Sequence, residues 1–174
     1  MLSTSLVLLL RIIHIVIGVV WVGSVVFIAL FLLPTVKALG PGGGAVMQHL
    51  TQVRRMPMVL MTTVVLTILS GVTLLWNASM GFTAAWMSSG PGRTYSLGAA
   101  LAIVVAIIGM AVNSPTAGKI GALGAAIRAG GGPPTAEQGA EMQRLQKRLT
   151  LAMRASAVLL IGATMAMAVG RYVP

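Results

Sequence analysis

Residues 5–33 read SLVLLLRIIHIVIGVVWVGSVVFIALFLL, an apolar run interrupted by only two ionisable side chains, Arg11 and His14, and stopped at Pro34. A bilayer core of about 30 Å is crossed by about 20 consecutive apolar residues in a helix, so this run predicts a transmembrane span. Three further segments meet the same requirement. Met58 to Trp76 follows the Arg54-Arg55 pair, Thr94 to Asn113 precedes Pro115, and Leu149 to Gly170 is closed by Arg171 and Tyr172. The expected fold is all-α: one transmembrane domain over residues 1–174, with spans near 5–33, 58–76, 94–113 and 149–170 packed as a four-helix bundle.

Composition agrees with that reading. Of the 174 residues, 57% are hydrophobic and only 8% charged, against roughly 25% charged in soluble domains. Mean hydropathy is +0.95. A water-soluble surface is excluded. Cysteine is absent, which removes disulfides, thiolate nucleophiles and Cys-ligated clusters. With only two acidic residues in the chain, paired-carboxylate catalysis has little material to work with.

The net charge of +10 and pI near 11.9 would point to nucleic acid in a soluble protein. Here topology accounts for them. Lys37, Arg54, Arg55, Lys119, Arg128, Arg144, Lys147, Arg148 and Arg154 all fall in or beside the first and third connections, and only Arg11, Arg93 and Arg171 fall elsewhere. The positive-inside rule then places loops 34–57 and 114–148 in the cytoplasm, facing anionic headgroups, with both termini outside. The expected setting is the plasma (inner) membrane of a bacterium, with the lipid bilayer as partner and no nucleic acid. Met1 to Leu10 has no basic leading segment and no small-residue cleavage site follows, so the first span is expected to stay in the mature chain.

Gly40-Pro41-Gly42-Gly43-Gly44, Gly90-Pro91-Gly92 and Gly130-Gly131-Gly132-Pro133-Pro134 mark the connections. None matches a phosphate-binding glycine motif. Thr135 and Gln138 have capping-box spacing, and a helix beginning there is expected to run unbroken into the fourth span as a long cytoplasmic extension. Small residues recur at helical spacing: Thr63, Thr67 and Gly71; Gly98, Ala102, Ala106 and Gly109; Gly162, Ala166 and Gly170. In lipid, such faces allow the close backbone approach that holds helices together. Trp76, Trp86, Tyr95 and Tyr172 form an outer aromatic belt, and Asn77-Ala78-Ser79 matches a glycosylation sequon.

Ionisable residues inside a span are functional candidates because burying them is costly. Arg11 and His14 share a helix face that Gly18 and Trp21 continue. A planar ring such as a porphyrin fits that surface, with His14 as iron ligand, Gly18 leaving room beside the imidazole, and Arg11 pairing with a propionate. The plainer role for His14 is a hydrogen bond to a neighbouring helix, with Arg11 reaching up to the headgroups. Met165 and Met167, in the outer part of span four, are the candidates for a second axial ligand, although gap-filling in the core is the plainer role for both. Copper is the weaker cofactor candidate, resting on the thioethers of Met56, Met58 and Met61, with Met80 and Met87 in the outer loop.

The stretch LRIIHIVIGVVWVGSVVFIALFLLP, with His14, Trp21, Gly23 and Ser24, resembles the opening helix of the copper-resistance D (CopD) type membrane proteins and the related HemJ-type protoporphyrinogen oxidases. Arg54-Arg55, the GVTLLW ending at Trp76, LGAALAIV over Leu97–Val104 and the basic helix entering span four extend the likeness along the chain. The resemblance implies a bundle of four or more helices, haem b contact through His14, or a part in copper handling. HemJ-type enzymes carry a lysine near the start of the third span where this chain has Ala100, so what is implied is the scaffold and the haem contact, without the oxidase reaction. The expected role is a non-catalytic haem-binding membrane protein. The alternative is a structural accessory subunit of a larger respiratory or photosynthetic complex.

Overall fold

Pro34 does not end the first helix. In the computed structural model, which describes residues 2–174 with Pro41 described by its backbone alone, α1 runs Thr4–Ala38. A π turn over Ile28–Leu32 precedes the proline, and there the Leu33 N–H bonds the Ile28 carbonyl five residues back. In a regular helix a proline lacks the N–H for its own bond, and its ring strikes the carbonyl four residues earlier. One widened turn relieves both faults and lets the helix continue. The same device carries the chain past Pro115: Gly109–Asn113 is a π turn, Ser114 N–H bonds the Gly109 carbonyl, and α5 runs Gly90–Ala129.

The remaining elements follow from their local sequences. A short helix, α2 (Pro41–Gln48), continues through a π turn at His49–Val53. Arg55, with a left-handed φ of 49°, turns the chain into α3 (Met56–Ala78), whose first turn holds Pro57. After α3 the chain makes a tight reversal in which Met80, Gly81 and Phe82 all have positive φ. The fully buried Ser79 steadies it, accepting from Phe82 N–H at 2.8 Å and donating to the Trp76 carbonyl at 3.2 Å. A single helical turn, α4 (Ala84–Met87), follows. The last helix, α6 (Ala136–Tyr172), opens with the expected capping box: Thr135 Oγ1 accepts from Gln138 N–H, and Gln138 Oε1 accepts from Thr135 N–H.

The fold is all-α, with no strand among the described residues, and α1, α3, α5 and α6 are each long and apolar enough to cross a membrane. α1 packs chiefly on α3 and α5 on α6, while α6 also meets α1 and α3 meets α5. The core lies where these faces converge, around Trp21, Val25, Ile28, Val105, Leu149, Met153, Ala157 and Leu160. Small residues allow the approach. A β-carbon on Gly98 would lie 3.2 Å from the Ala163 carbonyl oxygen and 3.3 Å from Ala166 Cβ. The hydroxyls of α3 bond mainly within their own helix, Thr62 to Met58 O, Thr63 to Leu60 O and Thr73 to Leu69 O. Val19, Leu69, Ile107 and Val158 are each more than half exposed on the outside, a surface suited to lipid.

Both termini lie at one end of the bundle. Leu2 N–H donates to Asn77 Oδ1 at 3.0 Å, and a β-carbon on Gly90 would meet the Pro174 carbonyl. The other end is made of α2 and the far parts of α5 and α6, helices of 40 and 37 residues. At about 1.5 Å per residue these outrun a hydrocarbon core of about 30 Å. The third connection, residues 114–148, is mostly two helical extensions joined by a short link after Ala129: the one from Ala136 is the extension expected of the fourth span, while the one that carries the third span on to Ala129 was not expected.

Candidate functional site

His14 is the anchor of the site. Its Nδ1 lies 2.9 Å from the Thr67 carbonyl oxygen, across the α1/α3 contact, and 3.3 Å from Ser70 Oγ. A carbonyl can only accept, so Nδ1 carries a proton, and in the neutral ring the lone pair is then on Nε2. Ser70 directs its own proton along α3, to Leu66 O at 2.6 Å or Thr67 O at 3.1 Å. This is the interhelical bond of the plainer reading. It is also the arrangement that orients a metal-binding histidine, in which one ring nitrogen donates to a carbonyl and the other is left for a ligand.

The ring rests on Gly71, where a β-carbon would fall 2.6 Å from Cε1 and 3.0 Å from Nδ1. Gly18 does not supply that room. A β-carbon there would make an ordinary 3.6 Å contact with Thr67 Cγ2, so Gly18 serves the α1/α3 approach. Trp21 is 3% exposed in the central core and is not part of the cavity.

Beside His14 opens a cavity of about 530 Å³, within the usual range for small-molecule sites. Ile15, Ile68, Val72, Leu75, Ala99 and Ile103 form apolar walls, and Arg11, Asn77, Trp86, Tyr95 and Arg171 bring polar groups to its lining. Trp86 and Tyr95 stack with centroids 6.5 Å apart and planes 5° apart. The Arg171 guanidinium lies 4.5 Å over the Tyr172 ring. Both acidic side chains, Glu137 and Glu141, belong to the first turns of α6 at the opposite end. The cavity therefore pairs two guanidinium groups with no acidic side chain. Thr67 Oγ1, also in the lining, is buried and without a hydrogen-bond partner.

Of the residues singled out by sequence, Arg11 and His14 are brought together here. Met165 is not. It is 64% exposed on the outer face of α6, whereas Met167, two residues on and half-buried, lines the cavity. Of the copper candidates, Met58 is 62% and Met61 41% exposed on α3, while Met56 packs against the core. No cluster of three His, Cys, Asp or Glu suited to a metal ion occurs among the described residues. The sequon residues have structural duties, Asn77 holding Leu2 and Ser79 buried in the reversal. Sequence reasoning left Gly71, the Thr67 carbonyl, Arg171, Trp86 and Tyr95 without a part in the site. Their only sequence signal was depth: Tyr95 and Arg171 lie at the outer ends of their spans and Trp86 in the outer connection, while Thr67 and Gly71 lie in the middle and outer half of α3. Comparison of the chain with protein families, curated proteins and solved structures gave no match.

Proposed function

We propose that this chain is a haem b-binding membrane bundle, built on a CopD/HemJ-like scaffold and serving a binding role. The observation that carries the reading is the state of His14. Its Nδ1–H is committed to the Thr67 carbonyl and its ring is seated on Gly71, so Nε2 is left without a partner beside an apolar cavity. The donor set fits the group: an imidazole nitrogen for iron, apolar walls for the macrocycle, and guanidinium groups for propionates. A bound haem supplies one-electron chemistry at its iron.

The chain's own residues do the rest. Thr67 and Gly71 fix the orientation of the imidazole, Arg11 offsets a carboxylate near the surface, and the apolar walls keep water from the buried face. In this reading the end bearing the nine clustered cations faces the cytoplasm of a bacterial plasma membrane, and the cavity opens on the outer side.

The test is a visible spectrum of the detergent-purified protein from haem-replete cells. A Soret band is expected, and His14→Ala should abolish it while far-UV circular dichroism stays unchanged. A colourless, haem-free preparation from such cells overturns the reading.

A further inference from the structure

The cavity is lined by two matched pairs of side chains on helices that run in opposite directions. On α1, Arg11 comes three residues before His14; on α6, Met167 comes four residues before Arg171, and all four line the same cavity. With a rise of about 1.5 Å per residue, each helix sets the α-carbon of a lone-pair donor roughly 4.5 to 6 Å along its axis from that of an arginine. α1 enters from the end where α6 leaves, so both ligand atoms lie on the deeper side. Met167 reaches into space left by Gly98 on α5. Its methyl group would be 3.0 Å from a β-carbon at position 98, so glycine there makes the room it occupies.

Charge supports the same pairing. An imidazole Nε2 and a thioether Sδ each donate a lone pair to iron without releasing a proton or adding charge. In a ferrous haem the porphyrin balances the metal, which leaves two propionates as the net charge. Two guanidinium groups and no acidic side chain in the lining of the cavity match that count. Burying charge at membrane depth is tolerated when it is paired in this way.

We propose that Met167 Sδ is the second axial ligand, opposite His14, and that Arg171 takes the second propionate. The inference rests on the haem reading above. It predicts a six-coordinate, low-spin haem whose thioether ligand raises the reduction potential. The unmodified ferric holoprotein should show the near-infrared magnetic circular dichroism band of thioether-to-iron charge transfer. Met167→Leu, which keeps the volume and removes the sulfur, should lose that band, shift the haem toward high spin and lower the midpoint potential. Met165→Leu should change none of these, and Arg171→Gln should weaken haem retention several-fold with the band intact.

A Soret band that His14→Ala removes, with no thioether band in the unmodified protein or with Met167→Leu unchanged, overturns the Met167 assignment and leaves the haem reading standing. A preparation that takes up no haem overturns both. The band in the unmodified protein decides the matter even if the variant fails to fold.

Discussion

The imidazole of His14 and the bare α-carbon of Gly71 are in direct contact, with room for no side chain between them: a β-carbon on Gly71 would stand 2.6 Å from His14 Cε1. Two helices far apart in sequence are thus fitted to each other at the one histidine, half-buried, that lies within a span. The Thr67 carbonyl one turn earlier on α3 fixes the ring's rotation through the 2.9 Å bond to Nδ1. Position and orientation of the imidazole come from α3, although the histidine itself belongs to α1.

Gly71→Ala should therefore damage ligand binding more than folding. Alanine favours the helix by about 1 kcal/mol over glycine, which offsets part of the steric cost. The ring must still turn away, and with it the bond to Thr67. Loss of such an orienting bond typically weakens metal affinity about 10- to 100-fold. Haem titration of the solubilised protein measures this. Unchanged affinity would mean that the ring's seat on α3 has no bearing on the ligand.

Thr67 has two parts with separate consequences. Its carbonyl holds His14, while its hydroxyl is buried without a partner. Thr67→Val keeps the shape and the carbonyl but removes the orphaned group. An unsatisfied buried hydroxyl costs about 1 kcal/mol or more, so the haem-free variant should melt a few degrees higher. If the variant binds haem less well than the parent, the hydroxyl serves the ligand; thermal unfolding and haem titration, done side by side, separate the two effects.

The four spans are legible in the sequence because a bilayer imposes length and apolarity on each helix independently of its neighbours. Arg11 and His14 stand out for the same reason, as ionisable exceptions in a long apolar run. What stands opposite them is set by helix phase and register, which composition does not mark. Met165 and Met167 are indistinguishable by depth, yet two residues rotate a helix by about 200°. Which one faces inward is decided by the buried stripe Ser156, Leu160, Ala163 and Ala166 on α6. Pro34 and Pro115 mislead for a related reason, since a π turn is a shift of one residue in hydrogen-bond register and leaves no mark in composition. Trp86 reaches the cavity only because the Ser79 reversal folds α4 back over it.

That reversal is itself open to test. Ser79→Ala removes the acceptor for Phe82 N–H and leaves three consecutive positive-φ residues held only by backbone bonds such as Gly81 N–H to the Trp76 carbonyl at 3.0 Å. The expected cost is about 1 to 2 kcal/mol, felt locally. Hydrogen exchange should quicken in residues 80–87 and remain slow in α3 and α6. Uniformly slow exchange would show that Ser79 is not what holds the turn.

At the far end, on the part of α6 that extends beyond its apolar segment, the Glu141 carboxyl is held below the usual carboxylate range. The chief cause is its hydrogen bonding to Arg144, whose Nε and Nη2 donate at 2.7 and 2.8 Å. The same bond raises Arg144. A carboxyl lowered by folding adds stability above its unfolded pKa and loses it as pH falls through the folded value. The pair is exposed, so its contribution is small. Glu141→Gln should lower the melting temperature by no more than about a degree at neutral pH. The difference should vanish once the pH lies below the lowered carboxyl pKa, and a variant less stable in acid than the parent would contradict the sign.

Gly98 couples the packing of α5 on α6 to the cavity, and the size of the side chain placed there should separate the two. The β-carbon of Gly98→Ala would stand 3.0 Å from Met167 Cε, 3.2 Å from the Ala163 carbonyl oxygen and 3.3 Å from Ala166 Cβ. The methionine end can swing aside at little cost, whereas the carbonyl and the alanine move only if the helices part by a few tenths of an ångström. The helix-propensity gain of about 1 kcal/mol works against that strain, so Gly98→Ala should alter stability by about 1 kcal/mol at most while displacing Met167. Gly98→Leu has no such escape. Overpacking of this kind costs about 1 to 3 kcal/mol, and in lipid no solvent-driven term restores the lost contact. Thermal unfolding should rank the parent and alanine variant together and the leucine variant well below. Visible spectra of haem-loaded alanine variant should change even though its stability does not. Equal stability for all three would mean that α5 and α6 are not in contact at this level.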